Sequence, residues 1–585
     1  MAVAARAKLR NLMLELRPLR VPRTTPDETS GDGTAAGRWR DRHPTATRSV
    51  AWTITVLAAV LVHVALVLPN HLTHLTPVAF TRIPLEGLFG AAILLALPPK
   101  PRRVVAVLAG ATLGALTVNK LLDMGLYANL DRPFHLVFDW VLLANAVEFL
   151  NESVGPGGAL AAVIGAVLVV LTLPVLTALA VVRLSHVMVE YRKVATRSAL
   201  ILGTAWMVGV TLNVQIAGVP LATENTSTFV RNRVHSIGAS LQDRRAFADQ
   251  STVDAFRDVP PDRLLTGLRG KDVIFAFVES YGRSAIEDRQ MAPVVSAALE
   301  EGAGRLGTAG FSARSAFLTS PTTGAGSWLA HSTFMSGLWI KNEQRYRAVT
   351  TAERLTLTGA FHRTGAWRTV GIFPGTTRAW PEGEFYEFDR IYDSRHLGYE
   401  GPAFGWSGIP DQYALSAFER LENGVPGRGP LLAEVVLTSS HNPWVPLPTM
   451  IGWDQLGDGS GYDSPHKTGE ESRKVWTDQD QVRKDYARSV AYSVDSLVSY
   501  VERYGDEDTV LVFLGDHQPV PTVTRGDPNR DVPISIVAHD HQVLDRISDW
   551  GWQDGLEPHP DAPVWRMDTF RDRFLTAYGP VTRTR

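Results

Sequence analysis

Four side chains in the C-terminal half of this sequence could act together on phosphorus. They are Glu279 in "FVESYG", Ser327 in "GAGSWLAHS", and Asp516 and His517 in "FLGDHQP". Two carboxylates and an imidazole suit one divalent cation and leave a place for a serine oxygen. Such a cation lowers the pKa of the serine, and the amides of a helix start favour an anionic substrate beside it. Each residue also has a plainer reading. Ser327 follows two glycines where a helix begins, which suits an N-cap. Glu279 can be a solvated strand end, and Gly-Asp pairs favour turns. The chemical reading rests on all four falling in one domain, each at the end of an element.

Those elements are legible as strands. Residues 272–278 (DVIFAFV), 433–439 (AEVVLTS), 509–515 (TVLVFLG) and 532–538 (VPISIVA) are short, apolar and rich in branched side chains. Continuous apolar runs point to a sheet covered on both faces. Helical patterns lie between them, the longest over 478–504. Together they predict an α/β sandwich, in which ligands gather at the carboxyl ends of strands. Glu279 directly follows the first strand, and Asp516 and His517 directly follow the third.

The rest of the chain has another character. Of 585 residues, 45% are hydrophobic, and the longest apolar runs fall within the first 220 or so. Five stretches, 50–68, 85–97, 104–118, 160–182 and 200–218, are apolar enough to span a bilayer, the second and third being short or interrupted. Ten Lys/Arg precede the first span, "PKPRR" joins the second and third, and "RLSHVMVEYRKVATR" joins the last two. With five spans and the N-terminus inside, every basic segment falls on the cytoplasmic side and the chain after about Thr223 falls outside. The first apolar run comes too late for a cleavable signal peptide. The expected divisions are a basic tail over 1–48, a transmembrane domain over 49–222, a membrane-proximal connector over 223–270 and an outer catalytic domain over 271–585. Segment 129–148 is apolar but interrupted by charge, so it reads either as a re-entrant or interfacial element or as an ordinary outer loop.

A net charge of −2 gives no case for nucleic acid as a partner. The absence of cysteine excludes disulfides, thiolate metal sites and a cysteine nucleophile. A transporter is disfavoured by the few charges within the spans.

In their order and context, "VIFAFVES", "TTGAGSWLAHS" and "VFLGDHQP" resemble the alkaline phosphatase/sulfatase superfamily, and within it the membrane-anchored lipoteichoic acid synthase and phosphoglycerol transferase group. The resemblance covers the five-span, connector and outer-domain plan and the motifs from 273 to about 519. It implies a five-helix membrane domain followed by an extracellular α/β sandwich of alkaline phosphatase/sulfatase type. It also implies one divalent metal, often manganese, with zinc and magnesium as alternatives, held by Glu279, Ser327, Asp516 and His517. The family nucleophile is usually threonine. Here Ser327 takes the matched position, with Thr322 and Thr323 as rivals; its distance to Ser336–Gly337 fits the family spacing. By the same resemblance, His441 in "LTSSHNPW" lies near the substrate phosphate, and Trp380 and Arg378 in "TTRAWPEGEFY" belong to headgroup binding.

The implied activity is transfer of a phospho-alcohol headgroup, phosphoglycerol from phosphatidylglycerol, to a glycan, polymer or lipid acceptor outside a bacterial plasma membrane. A phosphoethanolamine transferase and a phosphodiesterase are the alternatives of the same kind. A non-catalytic membrane-tethered binding or sensing protein is the alternative of another kind. A formylglycine sulfatase is disfavoured, because Ser327 is followed by "WLAH" without the proline and arginine that modification requires.

Overall fold

The computed structural model describes residues 43–130, 132–463 and 478–580. Most of the expected basic tail, residues 1–42, lies outside them. The chain divides into two compact units: Met1–Met124 with Ser153–His235, and Gly125–Glu152 with Ser236–Arg585.

The first unit is built on apolar helices. It holds α1 (Pro44–Val67), α2 (Leu85–Ala96), α3 (Pro99–Leu130) up to residue 124, α4 (Trp140–Glu190) from residue 153, α5 (Arg192–Thr211) and the polar α6 (Asn225–Thr252) up to residue 235. Helix α4 breaks at Gly155, where φ is 78°, just before Pro156. Among the described residues, four stretches are long and apolar enough to cross a membrane: Pro44–Val67, Pro99–Leu130, Gly155–Glu190 and Arg192–Thr211. The expected count was five. The difference is α2, which has 12 residues. At 1.5 Å per residue it is roughly 18 Å long, against a hydrocarbon core of about 30 Å. The expected span over 104–118 is instead the middle of the 32-residue α3.

The second unit is a covered sheet. Its strands are β1 (Asp272–Val278), β2 (Ser312–Thr319), β3 (Arg368–Phe373), β4 (Arg390–Asp393), β5 (Leu431–Leu437), β6 (Thr509–Gly515), β7 (Asp531–Ala538), β8 (Gln553–Asp554) and β9 (Val564–Arg566). They form one nine-stranded sheet in the order β8-β2-β7-β6-β1-β5-β3-β4, with β9 also paired to β2. Strands β6, β1, β5, β3 and β4 run parallel, whereas β7 is antiparallel to both β6 and β2.

Alternation along β1 explains why both faces are covered. Ile274, Ala276 and Val278 pack against α7 (Ala292–Thr308) and α11 (Gln479–Tyr504), with α10 (Asp411–Phe418) in the same core. Val273, Phe275 and Phe277 pack on the other side with α8 (Ser327–Ser336), α9 (Leu357–Thr364) and α12 (Phe570–Ala577). Each large apolar side chain buried this way contributes about 1.5–3 kcal/mol. Four strands were expected from the sequence, and these are β1, β5, β6 and β7; β5 starts two residues earlier than expected and leaves Thr438 and Ser439 to the following loop. The other five escaped because they are short, or carry polar side chains, as in "SARSAFLT" of β2.

Segment 125–152 belongs with the second unit. Arg132 pairs with Asp139 at 2.6 Å, and the His135 ring nitrogen lies 2.8 Å from the Ser240 hydroxyl.

Candidate active site

Register brings the motifs together. Strands β6, β1 and β5 are parallel neighbours, with Val278 opposite both Gly515 and Leu437. Glu279, Asp516 and the loop from Thr438 to His441 therefore leave the sheet at one level and at its carboxyl edge. Gly515 is needed there, because a Cβ would come within 1.8 Å of the Tyr281 carbonyl oxygen. The loop between β2 and α8 is tied to the same edge: the Gly324 amide donates to the Gln518 carbonyl at 2.8 Å.

Ser327 opens α8, but it is not the cap. The cap position is Gly326, in the left-handed region at φ 86°, and it makes no side-chain cap bond. The Ser327 hydroxyl donates to Glu279 Oε2 at 2.9 Å and lies 3.3 Å from His517 Nε2. The rival hydroxyl of Thr322 donates to the Ala325 carbonyl at 2.6 Å and closes the loop. Thr323 pairs with Gln518 through the backbone.

Glu279, Asp516 and His517 are buried, and each offers a ligand atom within 4.8 Å of the others'. His517 Nδ1 lies 2.8 Å from the Gln518 carbonyl, which can only accept, so Nδ1 carries the proton and Nε2 offers its lone pair. Asp516 Oδ1 accepts from the Ser280 and His517 amides at 2.7 and 2.8 Å. Asp516 Oδ2 is buried without a hydrogen-bond partner among the described residues. Ser280 adopts φ 56°, a costly conformation for a residue with a Cβ, and its hydroxyl donates to Glu279 Oε1 at 2.9 Å.

The electrostatics suit a positive charge among these groups. Burial pushes Glu279 up, but His517 and His441 outweigh that and hold it at about 2. Asp516, buried beside the Glu279 charge, is pushed up to about 6. Burial lowers His517, but the two carboxylates more than reverse this and raise it. An orphaned, fully buried carboxylate oxygen among two acids and an imidazole lone pair is a donor set that suits a divalent cation such as manganese, zinc or magnesium.

His441 stands beside this cluster, where it is electrostatically coupled to Glu279. Its Nδ1 lies 2.6 Å from the Asn442 carbonyl, and its ring stacks on Trp406 at 4.2 Å. Burial lowers its pKa below the usual imidazole value. Trp380 and Arg378 lie on the loop after β3. The Trp380 indole donates to the Tyr346 hydroxyl at 3.1 Å and packs on Phe373 and Tyr386, while Arg378 is exposed.

Two residues at this site were not singled out from the sequence. His331 lies one helical turn beyond Ser327, and its Nδ1 is 3.1 Å from Glu434 Oε1, in the middle of β5. The signal was present as a histidine four residues after the serine and a lone acid inside "LLAEVVL".

No protein-family profile and no curated protein matches the chain. Solved structures resemble it distantly. The lipoteichoic acid synthase LtaP from Listeria monocytogenes is 14% identical, with a TM-score of 0.35 over 58% of this chain and 78% of that one. The Streptococcus pyogenes phosphoglycerol transferase GacH, in complex with sn-glycerol-1-phosphate, is 12% identical, with a TM-score of 0.33 over 59% of this chain and 91% of that one. A protein in the alkaline phosphatase superfamily from Vibrio parahaemolyticus is 17% identical, with a TM-score of 0.33 over 58% and 75%.

Proposed function

We propose that the chain is a metal-dependent transferase that moves a phospho-alcohol headgroup, phosphoglycerol from phosphatidylglycerol, to a glycan, polymer or lipid through a phosphoserine ester on Ser327. The observation that carries this reading is the Ser327 hydroxyl, in the first turn of α8, within hydrogen-bond reach of Glu279 and His517. A divalent cation held by Glu279, Asp516, His517 and the serine oxygen would lower the serine pKa and offset phosphate charge.

The serine oxygen attacks phosphorus. Its bond to phosphorus forms as the bond to the diacylglycerol oxygen breaks, and the serine proton leaves to solvent. His441, protonated once the anionic headgroup is bound and fixed through Nδ1 by Asn442, gives its Nε2 proton to the departing alkoxide. An acceptor hydroxyl then attacks phosphorus and passes its proton to His441, the serine–phosphorus bond breaks, and the serine oxygen is reprotonated. Amides in the first turn of α8 favour the phosphate charge. Trp380 and Arg378 bind the headgroup.

In this reading the basic segments face the cytoplasm of a bacterial plasma membrane. Residues 1–48 form the tail, 49–222 the membrane domain, 223–270 the connector and 271–585 the outer catalytic domain. This outer placement requires an odd number of crossings, so the short Leu85–Ala96 is the fifth, with the bilayer thinned around it.

Intact mass of the full-length protein after incubation with phosphatidylglycerol and manganese tests the mechanism. A phosphoglycerol adduct on the wild type, absent from Ser327→Ala, is expected. Unchanged turnover in Ser327→Ala overturns it. An adduct formed only with phosphatidylethanolamine moves the donor to the phosphoethanolamine reading.

A further inference from the structure

Two buried atoms face each other across the edge of the proposed metal centre, and neither has a hydrogen-bond partner among the described residues. They are His331 Nε2 and Asp516 Oδ2, 4.0 Å apart. His331 is held firmly in place. Its ring stacks on Phe277 at 3.9 Å and 17°, and Nδ1 lies 3.1 Å from Glu434 Oε1. Glu434 is buried at 2% exposure, in β5 opposite Phe275 of β1.

A carboxylate only accepts, so Nδ1 of His331 carries a proton, and in the neutral ring it is Nε2 that presents a lone pair toward the Asp516 oxygen. The separation is too long for a hydrogen bond. Two metal–ligand bonds of about 2.0–2.2 Å do span it. A carboxylate behind an imidazole whose other nitrogen faces an acid is also the arrangement that orients metal-binding histidines and raises their basicity.

We propose that His331, oriented by Glu434, is a second imidazole ligand of the cation, beside His517. The inference rests on the metal centre proposed above and adds a fifth donor side chain to Glu279, Asp516, His517 and Ser327. Helix α8 then carries both the nucleophile and a metal ligand, one turn apart. Loading the ion would fix the position of Ser327 along the same rigid element.

The test uses the full-length protein in detergent with Mn2+ alone as the probe. Pulsed electron paramagnetic resonance counts the imidazole nitrogens coupled to the ion, and equilibrium dialysis gives its Kd. Two imidazole couplings are expected in the wild type and one in His331→Gln, with affinity weakened roughly 10–100-fold. Glu434→Gln keeps an acceptor for Nδ1, so both couplings are expected to remain while the affinity loosens by less. Should His331→Gln fail to fold, the wild-type count and Glu434→Gln still decide. A single coupling in the wild type overturns the inference, makes water the species between the two atoms, and leaves the metal centre standing. Absence of bound Mn2+ from the wild type overturns both.

Discussion

The Ser327 hydroxyl lies 2.9 Å from Glu279 Oε2, although 48 residues separate them in the chain. A serine at the start of a helix ordinarily turns its oxygen to the helix amides. Here Gly326 takes the cap position. Ser327→Ala therefore removes no capping bond. The change does remove the hydrogen bond to the buried Glu279, so stability is expected to fall by about 1–3 kcal/mol, while transfer falls on the order of 10³-fold or more. Turnover and thermal melting on the same preparation separate the two.

Thr322 is the control for that experiment. Its hydroxyl is spent on the Ala325 carbonyl at 2.6 Å. Thr322→Val loses one hydrogen bond, worth about 1 kcal/mol. Activity is expected to fall by roughly tenfold or less. A loss as deep as that of Ser327→Ala would move the nucleophile to Thr322.

Removing metal should silence the protein reversibly. Chelation is expected to abolish transfer, and manganese to restore it. Ligand at about 100 times its Kd stabilises the folded state by roughly 2.7 kcal/mol. The melting temperature is therefore expected to rise with manganese in the wild type and to stay still in Asp516→Asn.

Asp411 holds the loop that carries His441. Its Oδ1 accepts from the Thr438 and Ser439 amides at 2.7 and 2.9 Å, and its Oδ2 from the Ser493 hydroxyl at 2.6 Å. Asp411→Ala leaves two buried amides unpaired, at a cost of about 1–3 kcal/mol each. Asp411→Asn keeps one acceptor and should cost less. Denaturant unfolding ranks the two variants.

Asp254 links acidity to stability. It pairs at 2.6 Å with Arg571, which is fully buried. Burial raises the Asp254 pKa, but the hydrogen bonds and charge of Arg571, with Arg354, outweigh it and lower the net value below 3.8. A depressed folded-state pKa adds stability above the unfolded value, and that stability is lost as pH falls through the folded one. Asp254→Asn strands a buried guanidinium and should cost about 3–5 kcal/mol near neutral pH. The gap between wild type and variant is expected to narrow only below about pH 4. Melting temperatures across pH 3–7 measure it.

Several parts of this molecule were legible without coordinates. The four apolar runs that became β1, β5, β6 and β7 were visible because strands covered on both faces carry unbroken apolar sequence. Glu279, Asp516 and His517 were visible because each directly follows such a run. The β2 strand was not visible, since "SARSAFLT" opens on polar and small residues and shows neither strict alternation nor a full apolar run. The bounds of α2 were legible, 85–97 in the sequence against Leu85–Ala96 in the structure; the number of spans was not, because apolar composition alone does not say whether a 12-residue helix crosses a bilayer core.

What the sequence determined by itself is the set of chemical groups and the elements they terminate, because strand and helix patterns are local. It could not say whether Ser327 caps its helix or faces an acid, since both fit "GAGSW". Tertiary structure decided that, by running β6, β1 and β5 parallel in register and pinning the serine loop to Gln518. It alone set His331 against Glu434 and Asp516, three positions that only the folded sheet and helix bring together. The physical reason is that side-chain direction and inter-strand register arise from long-range packing, which no local window of sequence contains.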